Sequence, residues 1–330
     1  MTSRILLFTA AAAIASALSF TACSGKSASE NSGASAAAGP GGPQLGKPGG
    51  GPGIDKSADT LLQSMIREIV PRFKVCSYHD PQTGIDMAYN LYEPEVADGA
   101  RCPLVLFIAD AGTPGRDVSL PLTQGYGALV WATPEWQRAH PCYVLVPQFS
   151  GVVVNDAYER TPEVDVVVRL VRDLAANKNV DAKRLYTTGQ SMGGMISMYY
   201  NVAYPDLFAA SIFVDSHWDT STFPELARHR FVYFIAGDKG KSYPEIAPLE
   251  EACRADSVDY TFAEWSARLP WATQDSVAAT MLDKGAPVNI FQFTPGSVLP
   301  ASGKGSEHLY SFDYAYRNSA VRSWLFRQHN

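Results

Sequence analysis

Runs of apolar residues alternate with amphipathic stretches along most of this chain. KVCSYH and IDMAYNLYEP alternate apolar and polar positions on either side of the turn-forming DPQTG, which predicts an opening antiparallel pair of strands. Continuous apolar runs, typical of strands that are buried on both faces of a sheet, come next. They are PLVLFIA, CYVLVPQF, RLYTTG, AASIFV, RFVYFIAG and VNIFQF. Together with the opening pair, these runs predict a sheet of about eight strands.

Helical patterns separate the strand-like runs. Thr161 as N-cap with Pro162 at the first helical position opens PEVDVVVRLVRDLAANK, MGGMISMYYNVAYP follows RLYTTGQS, and YAYRNSAVRSWLFRQ predicts a final helix. Alternation of strands and helices is typical of an α/β fold with a mainly parallel sheet flanked by helices. The segment from about 245 to 285 is longer than one crossover helix requires, and is interpreted either as an extra packing helix or as part of a lid or pocket wall.

The N-terminal part has a different composition. Arg4 and the apolar run that follows are typical of a signal peptide over residues 1–22, and the run is too short to be a stable membrane span. Phe20-Thr21-Ala22-Cys23 resembles the lipobox of bacterial lipoproteins, which implies a lipid on Cys23 and a place in the bacterial cell envelope, on its periplasmic or extracellular face. Ordinary secretory cleavage near Ala22 is the alternative. Residues 23–56, rich in Gly, Pro, Ser and Ala, predict a flexible tether, which leaves 57–330 as the folded domain.

Charge and cysteine content narrow the possibilities. Lys plus Arg number 27 and Asp plus Glu 33, so the net charge of −6 excludes a nucleic-acid binder that relies on bulk positive charge. Cys102 and Cys142 each begin an apolar run, which favours a disulfide between them in an oxidising compartment, whereas Cys76 and Cys253 are interpreted either as a pair or as buried thiols. No clustering of Cys and His indicates a metal site, and no cofactor is implied.

A G-x-S-x-G pattern spans Gly189 to Gly193 and follows a strand-like run directly before a helical one. A nucleophilic serine on a sharp strand-to-helix turn requires this context, and the helix N-terminus offers free N–H groups to a developing negative charge. Ser191 is therefore the candidate nucleophile. A glycine-rich turn of purely structural use is the alternative.

A serine nucleophile needs a histidine base and an acid, in the chain order serine, acid, histidine. His308 follows the last strand in SGKGSEHLYS and is the favoured base, with His217 as its main rival. Asp238, at the end of RFVYFIAGD, is the favoured acid, and Asp215, one strand earlier, is the alternative.

An oxyanion hole needs two N–H donors beside the serine. The residue after the nucleophile, Met192, is the first, and Ala111 in the loop after PLVLFIA is the second. Asp110 is interpreted as a structural loop residue that is held either by Arg116 or by backbone N–H groups of its own loop, and substrate recognition is its alternative role. Trp218 and Tyr243 follow strand ends and are the candidate substrate-binding residues.

The motifs together resemble the α/β-hydrolase superfamily, in particular the esterase and predicted-peptidase group related to prolyl oligopeptidase catalytic domains and esterase D-like enzymes. The resemblance covers nearly all of residues 73–328, and HLYSFDYAYRNSAVRSWLFRQ is its most specific part. It implies an α/β-hydrolase fold with Ser191 as nucleophile, His308 as base and Asp238 as acid.

The resulting hypothesis is an exported, lipid-anchored serine hydrolase, a carboxylesterase acting through an acyl-enzyme on small-molecule or polymer-linked esters. A serine peptidase of the prolyl oligopeptidase-like group is the first alternative, because an amide needs only that His308 protonate the leaving amine. A non-catalytic hydrolase-fold binding lipoprotein is the second.

Overall fold

The computed structural model describes residues 21–27, 54–115 and 117–330. Residues 1–20 of the predicted signal peptide, most of the predicted tether and Arg116 lie outside these ranges. Thr21, Ala22 and Cys23 lie inside the first range, and the lipid on Cys23 stays a prediction. Within the described ranges, no helix combines the length and the apolarity that crossing a membrane would require.

A mixed sheet of ten strands forms the centre of the described chain, in the order β1-β2-β3-β5-β4-β6-β7-β8-β10-β9. Strands β1 to β3 are antiparallel to their neighbours, and the pairs from β5 to β9 are parallel. The strands are β1 (Thr21–Ser27), β2 (Lys74–His79), β3 (Asp86–Tyr92), β4 (Cys102–Ile108), β5 (Tyr143–Pro147), β6 (Val180–Gln190), β7 (Ala210–Val214), β8 (Phe231–Ile235), β9 (Tyr260–Trp265) and β10 (Val288–Phe293). This architecture confirms the predicted α/β-hydrolase fold, with all eight predicted strands in place.

Helices cover both faces of the sheet. They are α1 (Thr60–Ile69), α2 (Leu120–Thr123), α3 (Tyr126–Leu129), α4 (Pro134–Ala139), α5 (Glu163–Asn177), α6 (Met192–Ala203), α7 (Phe223–Leu226), α8 (Ile246–Ala255), α9 (Trp271–Leu282), α10 (Glu307–Arg317) and α11 (Ser319–Phe326). Apolar residues of α5, α6, α7 and α8 form one core with one sheet face, and those of α1, α3, α9, α10 and α11 form a second core with the other face.

Three features of the secondary structure differ from the predictions. The helix expected to open at Pro162 begins at Glu163, with Pro162 at the N-cap. The single predicted final helix is two helices, because Asn318 ends α10 and its side chain accepts a hydrogen bond from the Val321 N–H at the start of α11. The segment from 245 to 285 holds α8 and α9 and, between them, the unpredicted strand β9, whose alternating burial fits an edge strand.

The predicted disulfide between Cys102 and Cys142 is wrong. Both thiols are free and buried, and so is that of Cys253, which therefore does not pair with Cys76. In the parallel pair β4–β5, Leu104 is level with Tyr143, so Cys142 is level with residue 103 and points to the face opposite Cys102. Accordingly, Cys102 belongs to one core and Cys142 to the other, and a disulfide cannot join them through the sheet.

Candidate active site

Ser191 lies between the last residue of β6 and the first residue of α6. Its backbone angles, φ 51° and ψ −121°, are in a region that residues with a Cβ rarely adopt. The Ser191 N–H donates a 3.0 Å hydrogen bond to the Val214 carbonyl on the neighbouring strand β7. This tight turn projects the side chain away from the end of the sheet, as the G-x-S-x-G context predicts.

The two glycines of the motif allow the turn to pack closely. A Cβ on Gly193 would lie 2.0 Å from the carbonyl oxygen of Ile108, and a Cβ on Gly189 would lie 2.2 Å from the carbonyl of Gly193. Both obstacles are backbone atoms, which cannot rotate away. The glycines therefore let α6 begin directly against the end of β4.

We expect Gly193→Ala to lower the free energy of unfolding by about 3 kcal/mol, because α6 must move to relieve the collision with the backbone of β4. Urea unfolding of the purified variant measures this loss. Gly84→Ala is the matched control, since a Cβ there meets no atom within 4 Å and carries only the penalty of φ +74°, about 1 kcal/mol. Equal losses for the two variants would contradict the packing explanation.

His308 lies in the first turn of α10, and its imidazole faces Ser191. The Ser191 Oγ and His308 Nε2 atoms are 2.9 Å apart, and His308 Nδ1 is 2.5 Å from Oδ2 of Asp215. With the ring neutral, the serine hydroxyl donates to Nε2 and the Nδ1–H donates to the carboxylate. The ring also packs edge-on against Phe312, at 4.9 Å between centroids.

Asp215 comes directly after β7, is 4% exposed and has a φ of 40°. Its Oδ1 accepts a 2.8 Å hydrogen bond from the Ala236 N–H and another from the Ser242 hydroxyl. These two donors fix the carboxylate, so that its other oxygen stays aimed at His308.

The prediction of Asp238 as the partner of His308 is therefore corrected. Gln190 and Val214 are paired across β6 and β7, so the residues that follow them, Ser191 and Asp215, emerge side by side. Asp238 follows the next strand, is exposed, and accepts a hydrogen bond from the Gly240 N–H at 3.2 Å. His217, the rival base, contacts Asp156 instead of Ser191.

The two predicted oxyanion donors, Met192 and Ala111, both line the cavity next to Ser191 and His308. Met192 is the first residue of α6, where an N–H has no partner within the helix. Asp110 turns into its own loop, because Oδ1 accepts from the Gly112 N–H at 2.7 Å and Oδ2 from the Gln190 amide at 3.2 Å. Its carboxylate is thus held by a backbone N–H and a side-chain amide, which agrees with the interpretation of Asp110 as a structural loop residue.

The cavity has a volume of about 490 Å³, and its lining beside the triad contains two kinds of residue. We call the apolar set, Ala111, Val152, Val154, Met192 and Met195, the apolar wall, and the remaining set, Asn155, Asp156, His217, Asp238, Gly240, Lys241 and Ser242, the polar wall. Within the described ranges, no group of three or more His, Cys, Asp or Glu side chains is arranged to hold a metal ion.

Trp218 and Tyr243, the predicted substrate-binding residues, lie outside this lining. Trp218 is 3% exposed and packs in the core against Tyr158 and Tyr199. Tyr243 packs against the same core, with the Lys239 ammonium 5.7 Å from its ring centroid. Neither side chain is among the residues that line the cavity, so the prediction is wrong for both.

The sequence did not single out Asp156 and Lys241, which join with His217 on the polar wall. The Lys241 ammonium binds one oxygen of Asp156, and His217 Nε2 lies 3.2 Å from the other. The hydrogen bond from Lys241 holds the pKa of Asp156 below its ordinary value. Burial, with the nearby Lys241 charge, lowers the pKa of His217, so this ring is neutral at pH 7.

Glu245 is a second residue that sequence reasoning missed. Its buried carboxyl accepts a 2.6 Å hydrogen bond from the Trp218 N–H and lies 3.1 Å from the Tyr233 hydroxyl. That hydroxyl donates to the carbonyl of Ser216, whose own hydroxyl donates to the Ser191 carbonyl at 2.6 Å. Burial raises the pKa of Glu245 to about 8, so the group is mainly protonated at neutral pH.

We expect Glu245→Gln to remove a pH dependence of stability. The unfolded carboxyl ionises near pH 4.5 while the folded one keeps its proton to about pH 8, so stability falls as the pH rises through this interval. Over that range the wild-type protein should lose a few kcal/mol relative to the glutamine variant, which keeps the acceptor for Trp218 and does not ionise. Unfolding midpoints at pH 5, 7 and 9 measure the difference; parallel curves for the two proteins would contradict it.

Comparisons with known proteins give consistent matches. Residues 136–281 match a family model described as "Putative esterase", a region that contains Ser191 and Asp215 and ends before His308. A thermostable esterase of known structure is 25% identical with a TM-score of 0.64, over 79% of this chain and 64% of that one. The chain thus spans less than two thirds of that protein's length.

One more distant structure has the same fold. A structure named FAE is 14% identical with a TM-score of 0.52, covering 80% of this chain and 91% of that one. An S-formylglutathione hydrolase from Agrobacterium tumefaciens is 11% identical with a TM-score of 0.48, covering 78% and 95%. No curated protein matches the chain in sequence.

Proposed function

We propose that this chain is a serine hydrolase of the α/β-hydrolase superfamily, a carboxylesterase whose catalytic triad is Ser191, His308 and Asp215. The observation that supports this proposal most directly is the hydrogen-bonded line from Ser191 Oγ through both ring nitrogens of His308 to Asp215. Ser191 and His308 line a cavity whose volume is within the range of small-molecule sites.

In the proposed mechanism, Ser191 Oγ attacks the ester carbonyl while His308 Nε2 takes the hydroxyl proton. Asp215 keeps the Nδ1–H in place and stabilises the imidazolium that forms. The oxyanion accepts hydrogen bonds from the N–H groups of Met192 and Ala111. The tetrahedral intermediate then collapses, and His308 gives the proton to the leaving alcohol oxygen.

The same groups then hydrolyse the acyl-enzyme, with water in the place of the alcohol. His308 takes a proton from water, the hydroxide attacks the acyl carbon, and the proton passes to Ser191 Oγ as the carboxylic acid leaves. The neutral imidazole is restored after each half of the reaction, so no cofactor enters the cycle.

Matched esters and amides test this proposal. We expect the purified protein to hydrolyse 4-nitrophenyl acetate and butyrate with saturable kinetics, and to cleave 4-nitroacetanilide, which has the same acyl group, far more slowly. Urea-unfolded protein is the control for unspecific hydrolysis by surface nucleophiles. Amide cleavage that equals ester cleavage would favour the peptidase, and turnover of neither substrate by the folded protein would favour the binding lipoprotein.

We further propose that the protein is exported and anchored by a lipid on Cys23. The support is the sequence of residues 1–23 alone, with its apolar run and lipobox-like end. In a bacterial host, metabolic labelling with a fatty acid should mark the wild-type protein and leave Cys23→Ala unmarked. Equal labelling of both would contradict the anchor.

A further inference from the structure

Asp238 faces the cavity without taking part in the proposed triad. Its Oδ1 accepts from the Gly240 N–H, and Oδ2 keeps its capacity to accept further hydrogen bonds. Among the residues that the structure describes, no cation is paired with Asp238, and the ammonium of its neighbour Lys239 lies toward the ring of Tyr243. The cavity wall therefore carries an uncompensated carboxylate.

His217 supplies a second acceptor on the same wall. Its Nε2 is 3.2 Å from the Asp156 carboxylate, and no hydrogen bond from the described residues reaches Nδ1. With the proton of the neutral ring placed on Nε2, toward that carboxylate, Nδ1 is an unprotonated acceptor. Asp238 and His217 thus offer acceptors for hydrogen-bond donors of a substrate, separately from the proposed oxyanion hole, which binds the carbonyl oxygen.

The charged side chains of the cavity lining also favour hydrogen-bond donors and cations. Three carboxylates line the cavity, those of Asp156, Asp215 and Asp238, against the single ammonium of Lys241. That ammonium is bound to Asp156, so among the described residues of the lining no free positive charge remains for an anionic ligand. The resulting negative potential repels anions and attracts hydrogen-bond donors and cations.

We propose that Asp238 is a specificity-determining residue which, with His217, selects esters bearing hydroxyl or ammonium groups and disfavours esters bearing an anionic group. The hydrocarbon part of such a substrate packs on the apolar wall around Val154 and Met195, and its donor groups face the polar wall. This inference rests on the proposed esterase activity of the same cavity.

Phenyl acetates with different meta substituents test the proposal, because they share one acyl group and have leaving groups of similar basicity. For the wild-type protein we expect kcat/KM to be about tenfold higher for the hydroxyl than for the methoxy ester, and about tenfold lower for the carboxylate than for the methoxy ester. Asp238→Asn should abolish most of the discrimination against the carboxylate, chiefly through KM. Asp219→Asn, which removes a carboxylate outside the cavity lining, should leave that discrimination in place.

A second measurement needs no variant. Raising the salt concentration should increase kcat/KM of the wild-type protein for the carboxylate ester several-fold, and change it little for the methoxy ester, because salt screens the repulsion. Turnover of all three esters with equal discrimination in wild type and Asp238→Asn, or without a salt effect, would overturn the inference alone. Loss of turnover for every ester would overturn the proposed activity together with it.

Discussion

Ser191→Ala will lower kcat for 4-nitrophenyl ester hydrolysis by about 10⁶-fold, to near the background rate of the ester. Without Oγ, no acyl-enzyme forms, and the His308 Nε2 atom, 2.9 Å from Oγ, has no hydroxyl to activate. The fold should persist, because alanine meets the same backbone strain at φ 51° as serine does, and the Ser191 N–H still donates to Val214. Initial rates and unfolding midpoints of the two proteins measure both expectations.

Ser221→Ala is the matched control, since this exposed serine lies in a single 3-10 turn, Thr220–Thr222, and does not line the cavity. It should keep wild-type rates. Comparable rates for wild type and Ser191→Ala would rule out Ser191 as the nucleophile for these esters.

Asp215→Asn will lower kcat by about 10⁴-fold. The amide removes the negative charge that stabilises the imidazolium, and its NH₂ group, if it replaces Oδ2 beside Nδ1, favours the tautomer that cannot take the proton from Ser191. Asp238→Asn should change kcat/KM for 4-nitrophenyl acetate by less than about tenfold, mainly through KM, because Asp238 lines the cavity without contacting the imidazole.

The ratio of these two effects identifies the acid. Steady-state kcat and KM for both variants at a fixed pH give the ratio directly. A larger loss of kcat in Asp238→Asn than in Asp215→Asn would contradict the triad described above.

The amino-acid sequence was sufficient to predict the eight strands, the turn that holds Ser191 and the partner histidine. These features are local or depend on chain order: a buried run, a G-x-S-x-G pattern, a histidine after the last strand. His308 could be selected because the other histidines precede the serine, follow the wrong strand or lie at the chain end.

The acid could not be selected in that way. Asp215 ends AASIFVD and Asp238 ends RFVYFIAGD, so each follows a buried run and precedes His308, and the sequence pattern admits either as the acid. The difference is one of sheet position, because β7 pairs with β6 whereas β8 lies one strand further away. Which strands are neighbours in the sheet depends on pairing between segments that are far apart in the sequence, and the pattern within each strand does not reveal it.

Register and burial explain the remaining differences. Both β4 and β5 are apolar throughout, so the sequence alone allows them to pair in registers that differ by one residue. In the observed register, Cys102 and Cys142 lie on opposite faces of the sheet. Trp218 follows a strand end, as a pocket residue often does, yet its ring is taken up by the core around Tyr158 and Tyr199. Asp156 and Lys241 are 85 residues apart and meet only in the folded chain.

Covalent labelling with a fluorophosphonate, followed by peptide mass spectrometry, tests directly whether Ser191 is the nucleophile, because only an activated serine reacts with the reagent at an appreciable rate. We expect one label per molecule, on the peptide containing Ser191, with loss of ester hydrolysis in proportion to labelling. Labelling should be absent in Ser191→Ala and strongly slowed in His308→Ala, since the base is then missing. A label on another serine, or ester hydrolysis that survives complete labelling of Ser191, would contradict the assignment of Ser191 as the nucleophile.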